Sequence, residues 1–125
     1  MKKLYTSYLA KNAKHPNAVA ICAWVPRWFA GVKRYPQLAP DMALVKLYKV
    51  GQVNQEEYTD EYFHALKKRG VTPTQVVEDL ADGSIMLCFE KPGEFCHRRL
   101  VAGWIEAETG IIVPEWTGLE SAFEF

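Results

Sequence analysis

The sequence has no nucleotide fingerprint: neither a P-loop nor a G-x-G-x-x-G pattern occurs, so a ligand class must be argued from aromatic and cationic side chains. It has no net charge, with 15 Lys and Arg against 15 Asp and Glu. That excludes a uniformly basic nucleic-acid binder and an acidic disordered tail. Long apolar runs are missing too. The longest covers residues 18–25, well short of the roughly 20 residues that cross a bilayer. The start Met1-Lys2-Lys3 resembles the basic end of a signal peptide, but Lys11 and Lys14 interrupt the stretch that would follow. The expectation is a cytoplasmic protein with no export and no membrane partner.

Cysteine is scarce: Cys22, Cys88 and Cys96 make an odd number and form no C-x-x-C pair. Reduced thiols are expected, and not a disulfide framework. With His97 these cysteines include suitable zinc-ligand types. The missing compact pair and the adjacency of Cys96 and His97 leave no metal and no cofactor assigned.

There is no internal repeat, no low-complexity tract and no long linker. With 125 residues, 49% of them apolar, the chain can bury one core, so a single domain over 1–125 is expected, its tail from about 114 peripheral. Neutrality hides an asymmetry. Residues 1–50 hold 9 Lys and Arg against Asp41 alone, whereas 51–125 hold 6 against 14 acids. If the early segments share a face, that face attracts anions.

The pattern along the chain alternates. Residues 4–9 read as a first strand, and the unbroken apolar run 18–25 reads as a central strand covered on both faces, stopped by Pro26. Helical spacing follows in Met42, Val45 and Tyr48, and again in Tyr58, Tyr62, Phe63 and Leu66 until Gly70. Thr72, Pro73 and Gln75 make a capping box that opens a short helix buried through Val76, Val77 and Leu80. A second apolar strand spans 84–89, then a turn at Lys91-Pro92-Gly93, a helix over about 94–109 capped by Gly110, and a short strand at 111–113. The expected fold is α/β, a single small domain with a mainly parallel sheet and helices packed on both faces.

In such sheets ligands sit beyond the carboxyl ends of the strands. Three stretches qualify: Thr6-Ser7-Tyr8, residues 24–28, and residues 90–99. In the last, Gly93 lets backbone approach an anion, Lys91 adds charge, and Arg98 or Arg99 can fork onto phosphate or carboxylate oxygens at a helix N-terminus. Spacing puts His97, Leu100, Val101 and Trp104 on one inward face, with Arg98 at its edge and Arg99 opposite. His97 beside Glu90 is either a general acid–base or a satisfied core histidine. Cys96 in the first helical turn is either a nucleophile or an inert half-buried thiol; Cys88 reads as a small core residue. Trp24, Arg27 and Trp28 combine flat rings with a guanidinium, a setting for nucleobases or for core packing. Ser7 and Tyr8 add hydroxyls at the same mouth.

Together Tyr5-Thr6-Ser7-Tyr8, residues 21–28 and above all Leu87-Cys88-Phe89-Glu90-Lys91-Pro92-Gly93-Glu94-Phe95-Cys96-His97-Arg98 resemble the Domain of Unknown Function 488 family over about 3–113. Its most specific part is the Cys-His-Arg opening of a helix. The resemblance implies a small cytoplasmic α/β protein in which Cys88, Glu90, Cys96, His97 and Arg98 share a site, and it carries no established reaction. Three functions follow as expectations. One is an enzyme on a nucleotide or other phosphate-bearing small molecule, with catalytic Cys96, His97 and Glu90, and Arg98, Arg27, Trp24, Trp28, Ser7, Tyr8, Lys91 and Gly93 binding the ligand. Another is a non-catalytic pocket for a nucleotide-like ligand or nucleic-acid end. The third is an interaction module using the tail aromatics Trp116, Phe123 and Phe125.

Overall fold

The computed structural model describes residues 2–90 and 93–119. Four parallel strands form one sheet in the order β1-β4-β2-β3: β1 is Tyr5–Tyr8, β2 Ala18–Ala20, β3 Lys33–Arg34 and β4 Ile85–Cys88. Register pairs Tyr5 with Ile85 on one side of β4, and Ala18 with the same Ile85 on the other. The central β4 is buried at every position, as an apolar run without alternation requires in a sheet covered on both faces.

Among the described residues five α-helices flank the sheet: α1 Leu9–Asn12, α2 Met42–Lys49, α3 Gln55–Arg69, α4 Pro73–Asp79 and α5 His97–Thr109. The larger face carries the main core, where Met86 and Val19 meet Tyr62 and Leu66 of α3, Val76 of α4 and Val101 of α5. The opposite face packs Leu9 of α1 with Val25, Phe29 and Trp116 against Ala20 and Leu87. Helices therefore cover both faces, the longer ones on one.

Local chemistry explains the element ends. Asn54 and Glu57 exchange side-chain and backbone bonds as a full capping box at the start of α3, satisfying donors that the first turn leaves open. Gly70 and Gly110 end α3 and α5 in the left-handed region, at φ 77° and 76°, which glycine adopts without Cβ strain.

Several expectations need correction. The apolar run at 18–25 is strand only through Ala20; beyond it the chain turns outward, and Trp24 is 57% exposed. Helix α5 begins at His97, later than about 94, because Gly93 takes a positive φ of 90° and Cys96 is extended. Residues 111–113 form no strand. The pairing falls at Glu115, whose neighbours bracket Thr6: Thr6 N–H donates to Pro114 O and Trp116 N–H to Thr6 O. Trp116 is not an exposed docking aromatic, since its ring packs on Tyr5 and His15. Phe123 and Phe125 lie outside the described residues. Among the described residues no helix is long and apolar enough to cross a membrane.

Candidate functional site

The carboxyl ends of β2 and β4 are adjacent, and the chain leaves them toward different faces. After β2 it passes to Val25 and Phe29 on the α1 side, whereas after β4 it crosses to α5 on the α3 side. This divergence opens a crevice at the strand ends. It is a cavity of about 130 Å³ between Cys22–Trp24, the start and end of α2, Tyr58 of α3 and the Phe95-Cys96-His97 turn.

Its walls are largely aromatic. Tyr48, Tyr58 and Phe95 contact one another, with ring centroids 5.1 to 5.6 Å apart, and Trp24 and Phe89 flank the opening with 57% and 48% exposure. Among the described residues, two charged side chains line it, Glu90 and Lys49. Burial and then the Glu90 charge push the Tyr58 hydroxyl pKa up, so it stays protonated. The inner wall is Cys96, the N-cap of α5, beside His97.

His97 is sequestered. Its Nε2–H donates to Ile21 O at 2.7 Å, and its Nδ1 faces Cys96 Sγ at 3.8 Å. That bond assigns the proton to Nε2 and leaves Nδ1 as an acceptor. Burial pulls the imidazole pKa down to about 4, with the Arg98 charge adding to the effect and the Ile21 bond opposing it. At neutral pH the ring is uncharged.

The sulfurs of Cys88 and Cys96, eight positions apart, meet at bonding distance, with their Cα atoms 7.2 Å apart, a pairing that the reading of three separate thiols does not include. The cause is the return of the chain: α5 starts directly over the end of β4, so the N-cap sulfur meets the last residue of the strand. Cys88 is wholly buried, whereas Cys96 borders the cavity. Cys22 remains free, and burial raises its thiol pKa more than the Arg34 charge lowers it. Cys88, Cys96 and His97 are also the group whose metal-ligating atoms all lie within 4.8 Å of one another, a Cys₂His donor set of zinc type. A Cys88–Cys96 bond and a metal on this set would use the same two sulfurs, so the two states exclude each other.

Arg98 is not at the edge of the buried stripe but inside it, 1% exposed. Its Nε–H donates to Glu115 Oε1 at 2.8 Å, and its Nη1 donates to Cys88 Sγ at 2.8 Å and to Glu90 O. A buried guanidinium needs such partners, and Glu115, in the tail the sequence left unassigned, supplies the counter-charge. Arg99 bonds Thr6 Oγ1 and Val113 O. Both arginines are thus occupied within the protein.

Of the expected site residues, Cys96, His97, Glu90 and Trp24 meet at this cavity. Trp28 faces a separate open groove with Lys14 and Lys33, and Arg27 lines neither. Ser7 is buried and donates to Asn12 Oδ1, Tyr8 does not line the cavity, Gly93 is exposed in the turn before α5, and Lys91 lies outside the described residues. Sequence reasoning missed Tyr48, Tyr58 and Phe95 as walls. Tyr48 and Tyr58 were visible only as members of apolar helical stripes, and nothing in that periodicity says the stripe ends over the strand termini.

No curated protein and no solved structure matches the chain. A family model, DUF488-N3a, does match it over residues 4–109, from the residue before β1 to the last residue of α5. The strand, turn and Cys-His-Arg helix start that build the inner wall of the cavity lie within that match, and the chain belongs to this family, the active DUF488-N3 subclade.

Proposed function

We propose that this protein binds a small ligand carrying a flat ring, of nucleotide or nucleobase type, in the cavity at the ends of β2 and β4, and that Cys96, as a thiolate released from Cys88, is the group that acts on it. The observation that carries the reading is the set of aromatic walls, Trp24, Tyr48, Tyr58 and Phe95, converging on a sulfur at a helix N-cap. Rings of this kind stack on nucleobases without needing a fixed hydrogen-bond code. A phosphate or other anionic group on the ligand would be met by Lys49 and by the first-turn N–H groups of α5. Arg98 would act indirectly, by holding Cys88 and the Glu90 backbone behind the site. Glu90 is the wall residue suited to move protons. His97, neutral and tied to Ile21 O, would fix the α5 start against β2.

The test is calorimetric titration of the protein with nucleobases, nucleosides and nucleotides, repeated on Trp24→Ala and Tyr48→Ala. Binding that weakens at least about tenfold in both variants is expected, since stacking contributes roughly 1–3 kcal/mol per base. Absence of binding by every compound at millimolar concentration, or binding indifferent to both substitutions, would overturn the reading.

A further inference from the structure

We infer that Cys88 and Cys96 form a dithiol–disulfide exchange centre, in which Cys96 is the sulfur attacked from the cavity and Cys88 the leaving and then resolving sulfur. The inference rests on the reading of Cys96 as the reactive group of the cavity and assigns it a partner and a substrate class. The two sulfurs differ in the ways such chemistry requires. Cys96 borders the cavity, so an incoming thiolate can approach it. Cys88 is 0% exposed, so it cannot be approached from solvent. Its Sγ accepts an N–H from the Arg98 guanidinium, which Glu115 holds in place. A donor fixed on one sulfur stabilises negative charge there and makes it the better leaving group. Cys22, the remaining cysteine, lines the same cavity but is paired with neither sulfur.

The cycle balances with a small thiol and its disulfide as co-reactants. A thiolate RS⁻ attacks Cys96 Sγ, the S–S bond breaks, and its electron pair goes to Cys88 Sγ beside Arg98. A second RS⁻ attacks the external sulfur of the mixed disulfide, releasing RSSR and leaving Cys96 as a thiolate. In reverse, Cys96 thiolate cleaves RSSR and expels RS⁻; Cys88 thiolate then attacks Cys96 Sγ, expels the second RS⁻ and restores the internal bond. Two electrons pass in either direction. The aromatic walls select R: a small thiol or disulfide with a flat or apolar substituent beside the sulfur fits Trp24, Tyr58 and Phe95 better than a long charged one.

The experiment equilibrates the full chain in buffers of varied reduced-to-oxidised glutathione ratio, quenches in acid, alkylates in denaturant and counts adducts by intact mass. One adduct, at Cys22, is expected under oxidising conditions and three under reducing ones. Exposed to glutathione disulfide, Cys88→Ser should accumulate glutathione on Cys96, while reduced Cys96→Ser should take up at least about tenfold less. Normalised to free cysteine, an aromatic disulfide such as dithiobis(nitrobenzoate) should react faster than glutathione disulfide. Three adducts at every ratio, glutathione trapped on Cys88 in preference to Cys96, a reversed substrate order, or zinc retained by the reduced protein in native mass spectra would each overturn the inference. Nucleotide titration of Cys88→Ser separates the two readings: binding without exchange sinks only the exchange centre, and exchange without binding sinks only the nucleotide ligand.

Discussion

Replacing Glu115 by Gln probes how the tail supports the site. Arg98 is 2% exposed at its side chain and Glu115 32%, with Nε and Oε1 2.8 Å apart. Removing one partner of a fully buried ion pair costs about 3–5 kcal/mol, mostly because the other charge is left uncompensated. Two features reduce that figure here. Water reaches the third of Glu115 that is exposed, and glutamine keeps an oxygen that can still accept from Arg98 Nε and Thr6 Oγ1. The expected loss is therefore about 2 kcal/mol, a sizeable part of the roughly 5–15 kcal/mol that stabilises a domain. Urea unfolding followed by circular dichroism measures it. A double-mutant cycle with Arg98→Met should give a coupling of about 1–2 kcal/mol, because in the double variant neither charge is stranded. The pair is mostly shielded, so salt should change the result little. A loss under about 0.5 kcal/mol, or strict additivity in the cycle, would refute the argument that Glu115 compensates a buried cation.

Three other outcomes are expected. His97 has a folded pKa near 4 against 6.5 for an unperturbed histidine, so its contribution to stability is complete above the unfolded value and is lost as pH falls from about 6.5 toward about 4. In urea unfolding the wild type should lose up to about 1.4 kcal/mol per pH unit more than His97→Gln across that window; equal slopes would contradict the buried neutral ring. Tyr62→Phe should destabilise by about 1–2 kcal/mol, since Tyr62 is 0% exposed and its hydroxyl donates to Leu38 O at 2.6 Å, which would be left unpaired; an unchanged urea midpoint would mean that oxygen finds another donor. Asn54→Ala removes the capping box of α3 and should cost about 1 kcal/mol by thermal unfolding, a small loss confined to Asn54→Gly marking the cap as the cause.

The parallel α/β fold was legible because β4 is an unbroken apolar run and because Gly70, Thr72, Pro73 and Gly110 punctuate the helices with strong local signals. Residues 18–25 misled for the reason that β4 did not: an apolar run shows that its residues avoid water or line a cavity, not that the backbone stays extended. The 3-10 turn Arg27–Phe29 follows from where the chain must go next. At the site, the closeness of Cys96, His97 and Arg98 to Glu90 is legible from the short turn between strand and helix, but the charge balance around Arg98 is not. Arg98 looked like a ligand-binding group because its partner Glu115 is 17 positions away. Nothing local couples them, and only the parallel bridge of Glu115 to Thr6 brings the carboxylate over the helix start.

The far edge of the sheet has a consequence for the protein's behaviour in a crowded solution. Strand β3 is two residues long, and both, Lys33 and Arg34, are exposed cations. A second chain seeking to extend the ladder would find two rungs and two repelling charges, too little backbone to register on and a penalty for trying. At the opposite edge β1 is already occupied by the bridge at Glu115. The molecule thus offers aggregating strands almost no template at either end, and this protection would fall first at β1 if the tail were displaced.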